Sequence, residues 1–453
     1  MQPFKYHVFV CDQRKPDGAP CCSARGSAAT LEALRKEVAA RGLLNDVLIT
    51  SCGSIGLCER GPNLVVYPDG VWYSGVTPKD VPALVESHFV KGWALSRLLN
   101  QDEAAVRAEV NANRKKFMAA QRAKEASGAL PDDLNTTLRG YMESRALLTA
   151  LELDLFTAVG SGATAAEAAA RMSTHARATE MLLNALAAMG LLTKQNGVFH
   201  NAPQAARYFT ESSHDNARPG LIHIANIWHR WSTLTDCVRA GTAVSHQEMA
   251  ARGDDWTEPF IAAMHRNAAE RAPLVVQAVS PIVAGRMLDV GGGSAAYSIA
   301  FARANDRLQA TVFDLPTVLP IAQRHIDAAG LAARIETRPG DLRYDPFGSG
   351  FKLVLASAIC HMLSPEANQD LLRRCFECLE PGGRVVIQDF ILESDKTAPK
   401  QAALFALNML VGTPAGSTYS YEEYGEWLRA AGFRELREIR LPGPSSLMVA
   451  TRE

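Results

Sequence analysis

The stretch MLDVGGGSAAYSIAFA, Met287–Ala302, most narrows what this chain can fold into. An apolar strand runs directly into Gly291, Gly292 and Gly293, and a helical pattern follows at once. Glycine lets the backbone turn sharply and approach a ligand closely, and the helix start beyond it offers free N–H groups. Four more apolar segments, LQATVFDL, ARIETRPGDL, KLVLASAI and RVVIQDFIL, alternate with helical stretches between about residues 246 and 453. Near-continuous apolar strands separated by helices predict a parallel sheet buried on both faces, a doubly wound, Rossmann-like α/β fold. In such a sheet ligands bind beyond the carboxyl ends of the strands.

The acids at those ends limit the ligand. Asp289 lies in the first strand, Asp314 ends the next, and Asp341 ends the third. A carboxylate in the place of Asp314 can accept both ribose hydroxyls. Three carboxylates around one pocket repel a dinucleotide's pyrophosphate and suit a cationic ligand that carries a ribose and an adenine amine. A glycine turn alone is weak evidence, because phosphate, dinucleotide and nucleoside sites all use one, and Asp341 in isolation reads equally as a helix cap.

At 453 residues the chain exceeds one ordinary domain. Residues 1–95 alternate strand and helix signals and predict a small α/β unit. Residues 96–133 are charged and Ala-rich and predict a solvated helical linker broken at SGALPDD. Residues 134–245 carry leucines at helical spacing, then helix, short β-wing and helix, which predicts a winged-helix unit used for dimer packing. The remaining domain, 246–453, is the α/β sheet. Lys and Arg total 47 against 48 Asp and Glu, for a net charge of −1, and the winged region is not basic. That balance gives no field for nucleic acid or anionic lipid, and no long apolar segment predicts a membrane span. A soluble, cytoplasmic protein acting on small molecules is expected.

In order along residues 134–453, the motifs ESRALLTALELDLF, LLNALAAMGLL, LDVGGG, FDLP, GDL, AICHMLSPE, LEPGGRVVIQDFIL and WLRAAGF resemble the class I small-molecule O-methyltransferases that carry a helical dimerisation domain. The resemblance implies S-adenosylmethionine as cofactor, a homodimer and a small methyl acceptor. The implied cofactor set is Asp289, Gly291, Gly293, Asp314, Leu315, Asp341, Leu342 and Ser357. Within it Gly291 and Gly293 pass under the methionine part, Asp314 binds the ribose, and Asp341 and Leu342 frame the adenine. Ser357 stands where the family often has a lysine.

His361 in AICHMLSPE follows an apolar strand and precedes a helix that starts at Ser364-Pro365, so it sits at the sheet's carboxyl edge. A lone histidine beside an apolar strand is more often structural; at the family's catalytic position it is implied to be the general base, taking the acceptor's hydroxyl proton. Two departures stand out. Met362 replaces the Asp that commonly follows, and of the two acids flanking the base in plant relatives, the first aligns with Asp389 whereas the second falls near Thr418. A lost acid weakens the base, which leaves an alternative open: a redox enzyme that binds the cofactor without methyl transfer, hydroxylase- or decarboxylase-like, or a redox sensor. The CxxC of Cys375 and Cys378 lies along a helical stripe with Leu371, Leu372 and Leu379 and reads as packing.

Five of the nine cysteines fall in the first 58 residues. Four thiolates at Cys11, Cys22, Cys52 and Cys58 suit zinc or a [2Fe–2S] cluster equally by ligand type, while a cluster-free fold is the bland reading. Residues 4–95, through HVFVCDQRKPDGAPCCSARGS and GLCERGPNLVVYPDGVWYSGVTPKDV, resemble the thioredoxin-like [2Fe–2S] ferredoxins. That implies a [2Fe–2S] cluster on those four cysteines and an electron-transfer partner. The usual position of the third ligand falls on Ser54, with Cys52 two residues earlier; Cys21 is the substitute for Cys22.

Overall fold

The computed structural model describes residues 3–15, 19–245, 254–281 and 284–453. Contacts divide the chain into two units, Met1–Thr137 and Leu138–Glu453.

In the first unit β1 (Tyr6–Cys11) leads to α1 (Ser27–Ala40), β2 (Val47–Cys52), β3 (Asn63–Tyr67), β4 (Val71–Ser74) and α2 (Val81–Leu84), which widens into a π-turn over Val85–Val90. The sheet order is β2-β1-β3-β4, with β1 and β2 parallel and the other pairs antiparallel. Leu31, Leu34 and Val38 recur at helical spacing on α1 and pack on Val8, Val10, Leu64 and Val66 of the sheet. Each such side chain removed from water stabilises the unit by about 1.5–3 kcal/mol. Asp102 caps α3 (Glu103–Ala126) by accepting from the Ala105 N–H, and no residue of that helix is buried.

The second unit opens with helices. α4 (Asp132–Glu152), α5 (Leu155–Val159), α6 (Ala165–Met172), α7 (Ala176–Ala188) and α8 (Pro203–Phe209) surround a small sheet of β5 (Ala163–Thr164), β6 (Leu192–Gln195) and β7 (Val198–Asn201), ordered β5-β7-β6. α6 starts in a reciprocal cap between Thr164 and Glu167. Then come α9 (Arg218–Trp231), α10 (Leu234–Ala240) and α11 (Asp254–Ala278).

The large sheet comprises β8 (Gly285–Val290), β9 (Leu308–Asp314), β10 (Ile335–Pro339), β11 (Phe351–Ser357), β12 (Leu379–Asp389), β13 (Arg434–Ile439) and β14 (Ser446–Thr451), in the order β10-β9-β8-β11-β12-β14-β13. α12 (Ala296–Ala304) and α13 (Leu319–Ala328) pack on one face with α11; α14 (Pro365–Cys378) and α16 (Tyr421–Ala430) pack on the other. α15 (Lys400–Gly412) lies between β12 and α16 in sequence. The five strands from β8 to β12 are parallel, as their apolar runs predict, and the order reverses at β8, which puts a crevice at its carboxyl end. The antiparallel hairpin of β13 and β14 is an addition to the predicted strands: β13 reads RELREI, mostly charged, because it is the sheet's edge. Cys375 and Cys378 sit in the core beneath α14. Among the described residues no helix is long and apolar enough to cross a membrane.

Candidate active site

The glycine turn and the end of β9 are stitched together by backbone. Gly291 N–H donates to the Phe313 carbonyl at 2.8 Å, and Gly293 N–H donates to Asp314 Oδ2 at 2.8 Å. Leu315 N–H donates to the other oxygen, Oδ1, at 2.7 Å. Gly291 has φ +66°, and a side chain there would begin 2.3 Å from Ile359 Cδ1; a Cβ on Gly292 would lie 2.9 Å from Asp289 Cγ. Gly291 and Gly292 therefore make a bare cradle that no larger residue reproduces.

Two carboxylates face this cradle at a cost. Asp289 accepts from the Ser298 hydroxyl at 2.7 Å through Oδ2, while its buried Oδ1 has no hydrogen-bond partner among the described residues. Burial, only partly offset by the Ser298 hydroxyl, pushes the Asp289 carboxyl up to about 6, and Asp314 adds repulsion. Burial likewise raises Asp314 to about 6 despite its two backbone donors. A cationic ligand with hydroxyl donors relieves both penalties, so the residues fit S-adenosylmethionine.

Beyond the ends of β11 and β12, His361 and Asp389 meet. His361, in the short 3₁₀ turn Cys360–Met362, is 6% exposed and Asp389 is 1% exposed. Imidazole Nδ1 lies 2.6 Å from Asp389 Oδ1. An ionised carboxylate only accepts, so Nδ1 carries the proton and Nε2 keeps its lone pair for an incoming proton. The carboxylate is otherwise held by the His361 and Phe390 backbone N–H groups at 3.1 and 2.8 Å and by the Tyr424 hydroxyl at 3.4 Å. Phe405 meets the His361 ring edge to face at 4.9 Å and stacks on Phe390 at 4.0 Å, which makes the surroundings aromatic.

Residues 136–211 match the O-methyltransferase dimerisation domain and residues 231–434 the O-methyltransferase domain. The chain is 34% identical, over 72% of its length and 97% of the relative's, to 3-hydroxy-5-methyl-1-naphthoate 3-O-methyltransferase of Streptomyces sahachiroi. The chain belongs to the S-adenosylmethionine-dependent O-methyltransferases. It is also 31% identical to mouse acetylserotonin O-methyltransferase, over 69% of this chain and 86% of that one. The human N-acetylserotonin methyltransferase structure, in complex with SAM, superposes with TM-score 0.63 at 25% identity, covering 70% of this chain and 96% of that one. Neither family match reaches residues 1–135.

Within this methyltransferase the sequence-predicted residues divide. Asp289, Gly291, Gly293, Asp314 and Leu315 converge on one cradle, and Leu342 reaches it, its Cδ2 being 3.6 Å from where a Gly291 side chain would begin. Asp341 instead turns onto Arg343, whose Nη2 donates to it at 2.7 Å and holds its carboxyl below the usual range. The Ser357 hydroxyl donates to Gln388 Oε1 at 2.5 Å, and Tyr297 donates to the same oxygen at 3.1 Å. Gln388 and Tyr297 escape sequence reasoning; the one signal was the polar residue just before Asp389 in an apolar strand. Thr418 donates to the Ala402 carbonyl, so no second acid stands there, and the Tyr424 hydroxyl is an unforeseen support of Asp389.

In the first unit Cys11 and Cys52 are register partners at the ends of β1 and β2. The Cys22 thiol hydrogen-bonds Cys11, which lowers Cys11 to about 6 and raises Cys22. Asn63 Nδ2 donates to Cys22 Sγ at 3.3 Å and to the Leu57 carbonyl at 2.7 Å. Cys58 takes the Lys15 ammonium at 3.0 Å and lies 3.3 Å from the Ser54 hydroxyl. The donor chemistry suits iron, and Cys11 stands beside both Cys22 and Cys52, yet among the described residues no three His, Cys, Asp or Glu side chains are gathered to hold a metal ion.

Proposed function

We propose that this enzyme O-methylates a small aromatic hydroxyl compound with His361 as general base, in a homodimer. The pairing of His361 Nδ1 with buried Asp389 at 2.6 Å carries the reading. S-adenosylmethionine, held by Asp289, Asp314 and the glycine turn, would supply the methyl group on a cationic sulfur. His361 Nε2 takes the proton of the acceptor hydroxyl and so readies its oxygen for the methyl group. Asp389 fixes the tautomer and stabilises the imidazolium that forms. Phe390 and Phe405, stacked on each other beside the imidazole, offer an aromatic surface to an aromatic acceptor. Relatives named for a hydroxynaphthoate and for acetylserotonin support this acceptor class. The test is turnover with a panel of phenols: His361→Ala is expected to abolish S-adenosylhomocysteine formation while cofactor affinity stays nearly intact, and wild-type turnover in that variant sinks the base assignment.

The dimer reading rests on α4, where Leu134, Leu138, Tyr141 and Met142 form an exposed apolar stripe at helical spacing. Sedimentation of the full chain tests it.

We further infer a [2Fe–2S] cluster on Cys11, Cys22, Cys52 and Cys58, supported by the register pairing of Cys11 with Cys52 and its hydrogen bond with Cys22, with an electron-transfer partner. Iron counting and an absorption spectrum before and after dithionite test this: about two irons per chain and bleaching on reduction are expected, and Cys52→Ser abolishes both. Unchanged iron in Cys52→Ser moves the ligand to Ser54 or Cys21.

A further inference from the structure

The turn that carries His361 is strained and has to be held. Ala358, just before it, has φ +56°, a conformation that is costly for any residue with a side chain and survives only where the surroundings fix it. One tie is its own N–H, which donates to the Gln388 carbonyl at 2.8 Å. Another is Gly416, where a Cβ would fall 2.4 Å from the His361 carbonyl oxygen, so the loop after α15 passes against the turn. Neither reaches both ends of the turn.

Asn368 does. It lies near the start of α14, whose first turn is set by the Ser364 hydroxyl accepting from the Ala367 N–H at 3.2 Å, and it is fully buried. Its Nδ2 donates to the Cys360 carbonyl at 2.9 Å and to the Leu363 carbonyl at 3.4 Å. Those two carbonyls bracket the histidine. The Tyr419 hydroxyl donates to the same Leu363 carbonyl and meets the same amide. The other amide atom, Oδ1, is buried without a hydrogen-bond partner among the described residues. Reversing the amide would turn that oxygen onto two carbonyls, so the donors fix its orientation. An unsatisfied buried oxygen destabilises the fold, and a leucine of similar size carries no such penalty. What the asparagine adds in return is its hold on the turn.

We propose that Asn368 is a positioning residue for methyl transfer: by clamping the carbonyls on either side of His361 it keeps Nδ1 on Asp389 and Nε2 turned to the acceptor hydroxyl. This rests on the reading of His361 as the base and adds to it the group that holds the base in place. Asn368 is closed off from solvent and works through the histidine turn. The His361–Asp389 bond of 2.6 Å leaves little slack, and a drift of about 1 Å in a reacting group lowers a rate by about 100-fold.

The experiment measures kcat and KM for a series of phenols of rising acidity in wild type, Asn368→Leu and Asn368→Ser, with cofactor affinity by calorimetry, each protein well below its own unfolding midpoint. Leucine keeps the volume and removes both donors; serine crowds nothing and gives a folded variant where leucine does not fit. The expected result is a kcat lower by about 10- to 100-fold, with acceptor KM and cofactor affinity within about threefold. The deficit shrinks as the phenol becomes more acidic, because such an acceptor relies less on a well-placed base. A purely structural asparagine lowers the unfolding midpoint and leaves kcat of the folded enzyme unchanged; that outcome, a loss confined to KM, or a loss equal for every phenol overturns the assignment alone. Wild-type turnover in His361→Ala, or no S-adenosylhomocysteine from wild type with any phenol, overturns it together with the base reading beneath it.

Discussion

Replacing Asp389 by Asn tests how much of the rate comes from the carboxylate behind the base. In the ground state His361 is paired with Asp389 across 2.6 Å, and both are buried. The imidazole gains a full charge only as it takes the acceptor's proton, so the carboxylate's attraction is greatest in the transition state. With charge centres about 4 Å apart and an effective dielectric of about 20, that attraction is about 4 kcal/mol, or about 10³ in rate. The amide keeps the acceptor for Nδ1–H and removes the charge. It also turns an NH₂ toward the His361 backbone N–H, which bonds the other carboxylate oxygen, at a stability cost of about 1–3 kcal/mol. Single-turnover methyl transfer, cofactor affinity by calorimetry and thermal unfolding separate these effects. The expected result is a rate lower by about 10³ with cofactor affinity within a few-fold, and a smaller deficit for more acidic phenols, which need less help to lose their proton. A single-turnover rate within threefold of wild type, or a cofactor affinity that falls as far as the rate, refutes the reasoning.

Other outcomes follow from the cradle. Gly291→Ala places its Cβ against Ile359 at a positive φ, whereas Gly293→Ala meets nothing within 4 Å and bears only its φ of +56°. Gly291→Ala is expected to lose cofactor binding and about 1–3 kcal/mol of stability, and Gly293→Ala about 1 kcal/mol, read by denaturant unfolding and calorimetry. Because Asp289 and Asp314 are raised to about 6 from 3.8, the unliganded fold holds their protons more tightly than the unfolded chain does. Their contribution to stability is present in full below about 4 and is lost as pH rises through about 6, up to about 3 kcal/mol each. The cationic cofactor favours the ionised forms, so the thermal shift it produces should be larger at pH 8 than at pH 5; a shift independent of pH contradicts the fit. Asp314→Asn leaves the Gly293 or Leu315 N–H facing an NH₂ and is expected to weaken cofactor binding at least tenfold by calorimetry.

Much of the site was legible because its parts are local. A strand running into three glycines has few backbone solutions, and Asp314, ending the next strand, must lie beside them in any parallel sheet of this order. The resemblance placed His361 and Asp389, 28 residues apart, on adjacent strand ends, and β11 and β12 pair in parallel. The Arg343 contact that engages the Asp341 carboxylate was not legible, because spacing does not reveal such a competition. Strand β13 was missed because a charged edge strand lacks the apolar run that announces a buried one; β14, SLMVAT, carries such a run and was overlooked.

By itself, then, the sequence determined the periodicities: which segments are parallel strands, where the chain turns on glycine, and which acids and which histidine stand at the carboxyl edge. Those follow from sterics and burial within a few residues. The tertiary structure decided the relations that depend on distant segments meeting. It left Asp289 Oδ1 without a partner among the described residues and put the Tyr424 hydroxyl behind Asp389. It also paired Cys11 with Cys22 while giving Cys58 to Lys15 and Ser54. No local pattern encodes such pairings, because each is settled by which polar groups lose water together when the core closes.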